Sequence, residues 1–204
     1  MLGFHKKPDF LPYKQAAAAV GQGALMNTYE HLFHEYGQAV GQLLFTKGDA
    51  VNSKRYLYMR GTIQALLELG AIPIVNENDA VSADEIKIGD NDTLAAIVTC
   101  CIHADLLVLL SDIDGLYTAN PHTHPDAKLI PLVEDITPEV MALADGAGSA
   151  LGTGGMSTKL RAARMVTSSG ADMVIANGAH PELLYDIAEG RAAGTRFAAH
   201  RQEA

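Results

Sequence analysis

The chain has 204 residues, 48% of them hydrophobic, 19% charged and 6% aromatic, with no tryptophan and a formal charge of −9. That length buries a real core, as one large domain or two small ones, and without tryptophan the interior must be filled by alanine and branched aliphatic side chains. Clustered lysines and arginines, on which nonspecific nucleic-acid binding depends, are missing, so no nucleic-acid partner is expected.

In chain order, Met1 to Phe10 holds two lysines with no apolar core behind them, which does not read as a secretory signal. Gln15 to Tyr36 is alanine-rich, with Leu25, Tyr29, Leu32 and Phe33 at helical spacing. Gln42 to Phe45 reads as a short strand ending in the polar turn Thr46-Lys47-Gly48-Asp49. Asn52 is placed to cap a helix running to about Leu69, with Gly70 as its stop. Ala71 to Val75 reads as a buried strand, Asp92 to Ile102 as a helix and Leu106 to Leu110 as a second buried strand. Asn120 to Leu132, with three prolines, reads as a surface excursion. Ser157 to Ser169 reads as a helix and Met173 to Ala176 as a third strand.

Strands that are apolar throughout are buried on both faces, and helices between them predict an α/β fold with a mostly parallel sheet covered on both sides. Ligands of such sheets bind beyond the carboxyl ends of the strands. The polar, glycine-rich clusters all follow strand ends, which predicts a site there. The most apolar stretch, Leu94 to Leu110, is interrupted by His103 and Asp105, so no membrane span is expected. Cys100 and Cys101 are adjacent, where side chains diverge too far to bridge; they read as small hydrophobes in a reducing compartment.

Three clusters could carry chemistry. Asn76-Glu77-Asn78-Asp79 follows a buried strand, and Gly89-Asp90-Asn91-Asp92 opens a helix. In these runs Asp79 could pair with an ammonium group and Asn91 could both donate and accept hydrogen bonds, while Asp90 alone reads as a helix cap. Gly152 to Lys159 places glycines before a helix, where backbone N–H groups approach a phosphate, with Lys159 one turn in; a plain flexible loop is the alternative, and the pattern is not a Walker A loop. Ser111-Asp112-Ile113-Asp114-Gly115-Leu116-Tyr117 begins like a calcium loop, but Leu116 stands where a ligand is needed and no glutamate closes it. It reads as a strand-end contact for a nucleotide, or as a plain turn. The pairs His31/His34 and His122/His124 lack further ligands nearby, and no metal site is assigned.

Pro73 to Ala96, Leu106 to Pro121, Gly146 to Ala163 and Lys14 to Met26 together resemble the amino acid kinase family, in its glutamate 5-kinase branch, over about Leu2 to Phe197. The resemblance implies ATP- and Mg2+-dependent phosphorylation of the side-chain carboxylate of L-glutamate to glutamyl 5-phosphate, the first step towards proline, in the cytoplasm. It implies one three-layer domain over residues 1–204, a homo-oligomer, and a functional link to glutamyl phosphate reductase. Asp79, Asn91 and Asn76 match glutamate-contacting positions. Asp92 matches the aspartate that orients the catalytic lysines. Ser111, Asp112 and the run Thr153, Gly154, Gly155, Met156, Ser157, Thr158 and Lys159 match the ATP-binding segments, Lys159 being the catalytic lysine near the transferred phosphate.

Members of this family open with a strand leading into Lys-Ile-Gly-Ser or similar, followed by a Ser-Ser-Gly-Ala loop. Neither motif occurs here, and the C-terminal PUA appendage of many relatives is also absent. The sequence as written is therefore expected to be truncated at its start, with Met1 an internal methionine, an unpaired sheet edge and little or no turnover. The rival readings are another amino acid kinase, acting on aspartate, acetylglutamate, carbamate or a nucleoside monophosphate, and a non-catalytic remnant that binds ligand or assembles.

Overall fold

The computed structural model describes residue 6 and residues 8–82, 90–121, 123–144 and 155–200. The chain divides into two compact units, Met1–Ile88 and Gly89–Ala204.

In the first unit, α1 (Leu11–His34) is followed by β1 (Val40–Phe45), α2 (Lys47–Val51), α3 (Ser53–Glu68) and β2 (Ile72–Glu77). The two strands pair in parallel from Val40↔Ile72 to Phe45↔Glu77. The residues expected to form a turn after β1 instead form α2. Thr46 donates its backbone N–H and its hydroxyl to the Asp49 carboxylate, at 2.8 and 2.6 Å, and that reciprocal cap stabilises one helical turn. Asn52 caps α3 as expected, its Oδ1 accepting from Arg55 N at 3.0 Å, and Gly70 ends the helix at φ +74°. Met59 and Ile63 of α3 and Leu43 of β1 are buried. None of the described residues of α1 is buried, although the helix forms as its alanine-rich sequence predicts.

The second unit contains α4 (Asn91–Ile102), β3 (Leu106–Ser111), β4 (Leu132–Val133), α5 (Pro138–Ala142), α6 (Met156–Ser168), β5 (Asp172–Asn177), α7 (Leu183–Ala188) and β6 (Thr195–Phe197). Its sheet runs β3-β5-β6-β4; β3–β5 and β4–β6 are parallel and β5–β6 antiparallel. Side chains alternate across β5. Met173 and Ile175 join Leu160, Ala163 and Val166 of α6 in one core, while Val174 and Ala176 join Ile187 of α7 in another. Alanine does fill much of the interior: Ala96, Ala162, Ala163, Ala171 and Ala176 are all buried.

The expectation that every apolar strand is buried on both faces holds for β5 and needs correction for β2, whose residues are all only half-buried, and for β3. Leu106 is 38% and Leu110 45% exposed, because β3 edges its sheet. Cys100 and Cys101 form no disulfide, and Cys101 is buried.

The loops after β3 and β5 are tied together by Asp114, whose carboxylate accepts from Asn177 Nδ2 at 2.7 Å and from Tyr117 OH at 2.8 Å. These two donors, Asn177 foremost, hold the Asp114 carboxyl below the usual carboxylate range, and the same bond raises the Tyr117 phenol. Gly194 sits at φ +63°, where an added Cβ would lie 2.9 Å from the Asp114 carbonyl oxygen and closer still to that of Ile175. Gly194→Ala should therefore destabilise the protein by at least about 1 kcal/mol, read as a melting temperature lower by roughly 2–4 °C or more. Asp114 has its pKa depressed by folding, so its stabilisation is present above the unfolded value of about 3.9 and lost as pH falls through the lower folded value. Melting temperatures of the unaltered chain and Asp114→Asn should differ most between roughly pH 5 and 8 and converge as pH falls through the lowered folded value.

Candidate active site

In the second unit, the site begins with a lysine that burial leaves little choice. Lys159 is 9% exposed, in the first turn of α6. An ammonium group removed from water needs an ionic partner. It has one in Asp92 of α4, with Nζ 3.1 Å from Oδ2 and 3.4 Å from Oδ1. The Thr158 hydroxyl lies 2.8 Å from Asp92 Oδ2 and 2.7 Å from the Gly155 carbonyl oxygen, donating its one proton to either. Asp92 occupies the first turn of α4, where the helix dipole favours a carboxylate.

Asp90 is the N-cap of α4, as the composition suggested: its Oδ1 accepts from Thr93 N at 2.7 Å and its Oδ2 from the Thr93 hydroxyl at 3.0 Å. Asn91, the first residue of α4, is exposed. Gly155 caps α6, followed by buried Met156, half-buried Ser157 and buried Thr158. The first backbone bonds of α6 run from Thr158 N and Lys159 N to the Gly155 carbonyl oxygen, at 3.1 and 3.4 Å, so the N–H groups ahead of them, those of Met156 and Ser157, are the ones that suit an anion. Thr153 and Gly154, also assigned to this segment, lie outside the described residues.

Ser111 ends β3, and its hydroxyl donates to Asp112 Oδ1 at 3.1 Å. Its carbonyl oxygen accepts from Gly178 N at 2.7 Å, so the carboxyl ends of β3 and β5 form one rim. Asp112 is exposed there. The Asp114–Asn177–Tyr117 cluster that braces this rim escaped the sequence reading, because Asp114 and Asn177 lie far apart in the chain. A separate cavity of about 480 Å³, bordered by Asp105, Asp172 and Arg196, lies at the amino ends of β3 and β5, away from that rim.

In the first unit, Asn76 and Asp79 line a cavity of about 510 Å³ beyond the carboxyl end of β2. Asn76 Oδ1 accepts from Glu77 N at 2.9 Å, and its Nδ2 donates to Gln22 Oε1 at 3.0 Å. Gln22 was not singled out from sequence; in an alanine-rich helix one amide carries no signal of its own. Thus Asp92, Thr158 and Lys159 meet within the second unit, and Asn76 and Asp79 share a cavity within the first. No described helix is long and apolar enough to cross a membrane.

Residues 4–177 match the model of the Amino acid kinase family. The chain is 54% identical over 196 residues to the glutamate 5-kinase of Clostridium tetani and 56% identical to that of Clostridium acetobutylicum, covering 96% of itself and 73% of each relative. Against the glutamate 5-kinase of Moorella thermoacetica it is 54% identical, again over 96% of itself but only 52% of the relative. Among solved structures, an isopentenyl phosphate kinase aligns with TM-score 0.63 at 20% identity, over 95% of this chain and 74% of that one. UMP kinase from Ureaplasma parvum aligns with TM-score 0.56 at 17% identity, over 90% and 68%. A carbamate kinase from Giardia lamblia bound to AMP-PNP aligns with TM-score 0.52 at 19% identity, over 69% and 44%. At these identities the structures speak for the fold alone. A match over most of its length, with relatives more than half identical to it, places the chain in the amino acid kinase family, in its glutamate 5-kinase branch.

Proposed function

We propose that this protein transfers the γ-phosphoryl group of ATP to the side-chain carboxylate of L-glutamate, giving glutamyl 5-phosphate and ADP. The relatives carry that name, and the observation that bears most weight is Lys159, a scarcely exposed ammonium held by Asp92 at the glycine-led start of α6. A carboxylate is already ionised at neutral pH, so the acceptor needs no base. One of its oxygens forms the new O–P bond as the bond from the γ-phosphorus to the ADP oxygen breaks. What remains for the protein is positioning and stabilisation of charge on the phosphoryl oxygens.

Lys159 supplies that charge, and Asp92 and Thr158 keep it aimed. The N–H groups opening α6 take phosphate oxygens, together with Thr153, Gly154 and Ser157 of the same segment, while Ser111 and Asp112 contact the nucleotide from the β3 rim. Asp79 pairs with the ammonium group of glutamate, and Asn76 donates to its oxygens. Among the described residues no cluster of three or more His, Cys, Asp or Glu side chains forms a metal site. Mg2+ enters with the nucleotide as the substrate MgATP, the usual mode for this ion. A cytoplasmic location, self-association, and passage of the labile acyl phosphate to glutamyl phosphate reductase belong to the same reading.

ADP release should depend on L-glutamate and fall sharply with aspartate, N-acetylglutamate, carbamate or UMP; preference for one of these others would reassign the acceptor. Calorimetric binding of ATP and glutamate without turnover would favour a ligand-binding remnant, and binding of neither would remove the kinase reading altogether. Lys159→Met should lower kcat by roughly 10³-fold with little change in glutamate affinity. Asp92→Asn, which leaves the Lys159 ammonium without its counter-charge, should lower both kcat and the melting temperature.

A further inference from the structure

We infer that Gln22 is a positioning residue of the amino-acid acceptor pocket, acting through Asn76. The inference rests on the reading of Asn76 and Asp79 as contacts for the acceptor. The orientation of both amides follows from a backbone donor. Glu77 N is within 2.9 Å of the Asn76 side chain and can only donate, so the atom facing it is Oδ1. Asn76 therefore turns Nδ2 towards Gln22, 3.0 Å away, and Gln22 must answer with Oε1. The chain of bonds from the backbone through Asn76 to Gln22 admits one arrangement.

That arrangement leaves Gln22 Nε2 buried without a hydrogen-bond partner among the described residues. A buried donor left unpaired is uncommon and calls for a reason. Gln22, Asn76 and Asp79 all line the same cavity of about 510 Å³, which is roomy enough for an amino acid. The surroundings on α1 sharpen the contrast: Leu25 and Leu32 of the same helix are 40% and 53% exposed, whereas the amide of Gln22 is drawn inwards to Asn76. Gln22 thus fixes the rotamer and the donor face of Asn76 before the acceptor arrives, and lowers the entropy lost on binding.

Two substitutions test this on the full chain. Gln22→Met keeps length without an amide, and Gln22→Ala raises helix propensity, so α1 is retained. The dissociation constants of L-glutamate and of MgATP are read from the ligand dependence of the melting temperature. Loss of one net hydrogen bond should weaken glutamate binding roughly tenfold while MgATP affinity stays within about twofold. Because Gln22 acts through Asn76, either substitution made in an Asn76→Ala background should add less than about twofold, a non-additivity that a general loosening of α1 would not produce. Unchanged glutamate affinity in both variants, or effects that add in full, overturns the inference while leaving the acceptor pocket in place. An unaltered chain whose melting responds to MgATP but not to L-glutamate removes the acceptor reading itself, and this inference with it.

Discussion

A lysine at 9% exposure imposes one requirement on the second unit: a carboxylate must stand against it. Asp92 meets that requirement from the first turn of α4, and Lys159 from the first turn of α6, so the amino ends of the two helices are held together. The consequence runs into the packing. Ala96 of α4 and Ala162 and Ala163 of α6 are almost fully buried, and small side chains let these helices lie close enough for a 3.1 Å ion pair to form. Met173 and Ile175 of β5 then close the core beneath α6. On the proposed reading, the site that concentrates positive charge on a phosphoryl group is thus built where the fold already has reason to be rigid.

The polar chemistry gathers at the carboxyl ends of strands, and each cluster is braced by a bond to a neighbouring segment. Ser111 is fixed by Gly178, the loop beyond it by Asp114 to Asn177, and Asn76 by Gln22. These braces are hydrogen bonds between sequence-distant groups, which suits a reaction with no proton to abstract from its nucleophile. Orientation and charge are what phosphoryl transfer to a carboxylate demands, and on the proposed reading the amides and the buried Lys159 ammonium supply them.

Much of this was legible in the order of residues. The solid apolar runs at Ala71 to Val75, Leu106 to Leu110 and Met173 to Ala176 became β2, β3 and β5, and Asn52, Asp90 and Gly70 punctuated helices as their side chains or lack of one require. Where elements were short, periodicity had nothing to work on: β4 has two residues, β6 three, and α2 and α5 five each. Thr195 shows what stands in for pattern in such pieces. It is fully buried, accepts from Leu116 N at 2.8 Å and donates to the Ile130 carbonyl oxygen at 2.6 Å. A lone threonine in the sequence carries no trace of that pairing.

By itself the sequence determined the α/β alternation and the strand ends at which the polar clusters gather, because these depend on local periodicity, capping and motif spacing. Tertiary structure alone decided which side chains meet. It set Lys159 on Asp92, Asp114 on Asn177 and Asn76 on Gln22, and it made β3 an edge strand with exposed leucines although its sequence is as apolar as that of β5. The physical reason is range: hydrophobic period and helix caps act over a few residues, whereas an ion pair, a shared cavity and a strand's rank in its sheet depend on segments 50 or more positions apart.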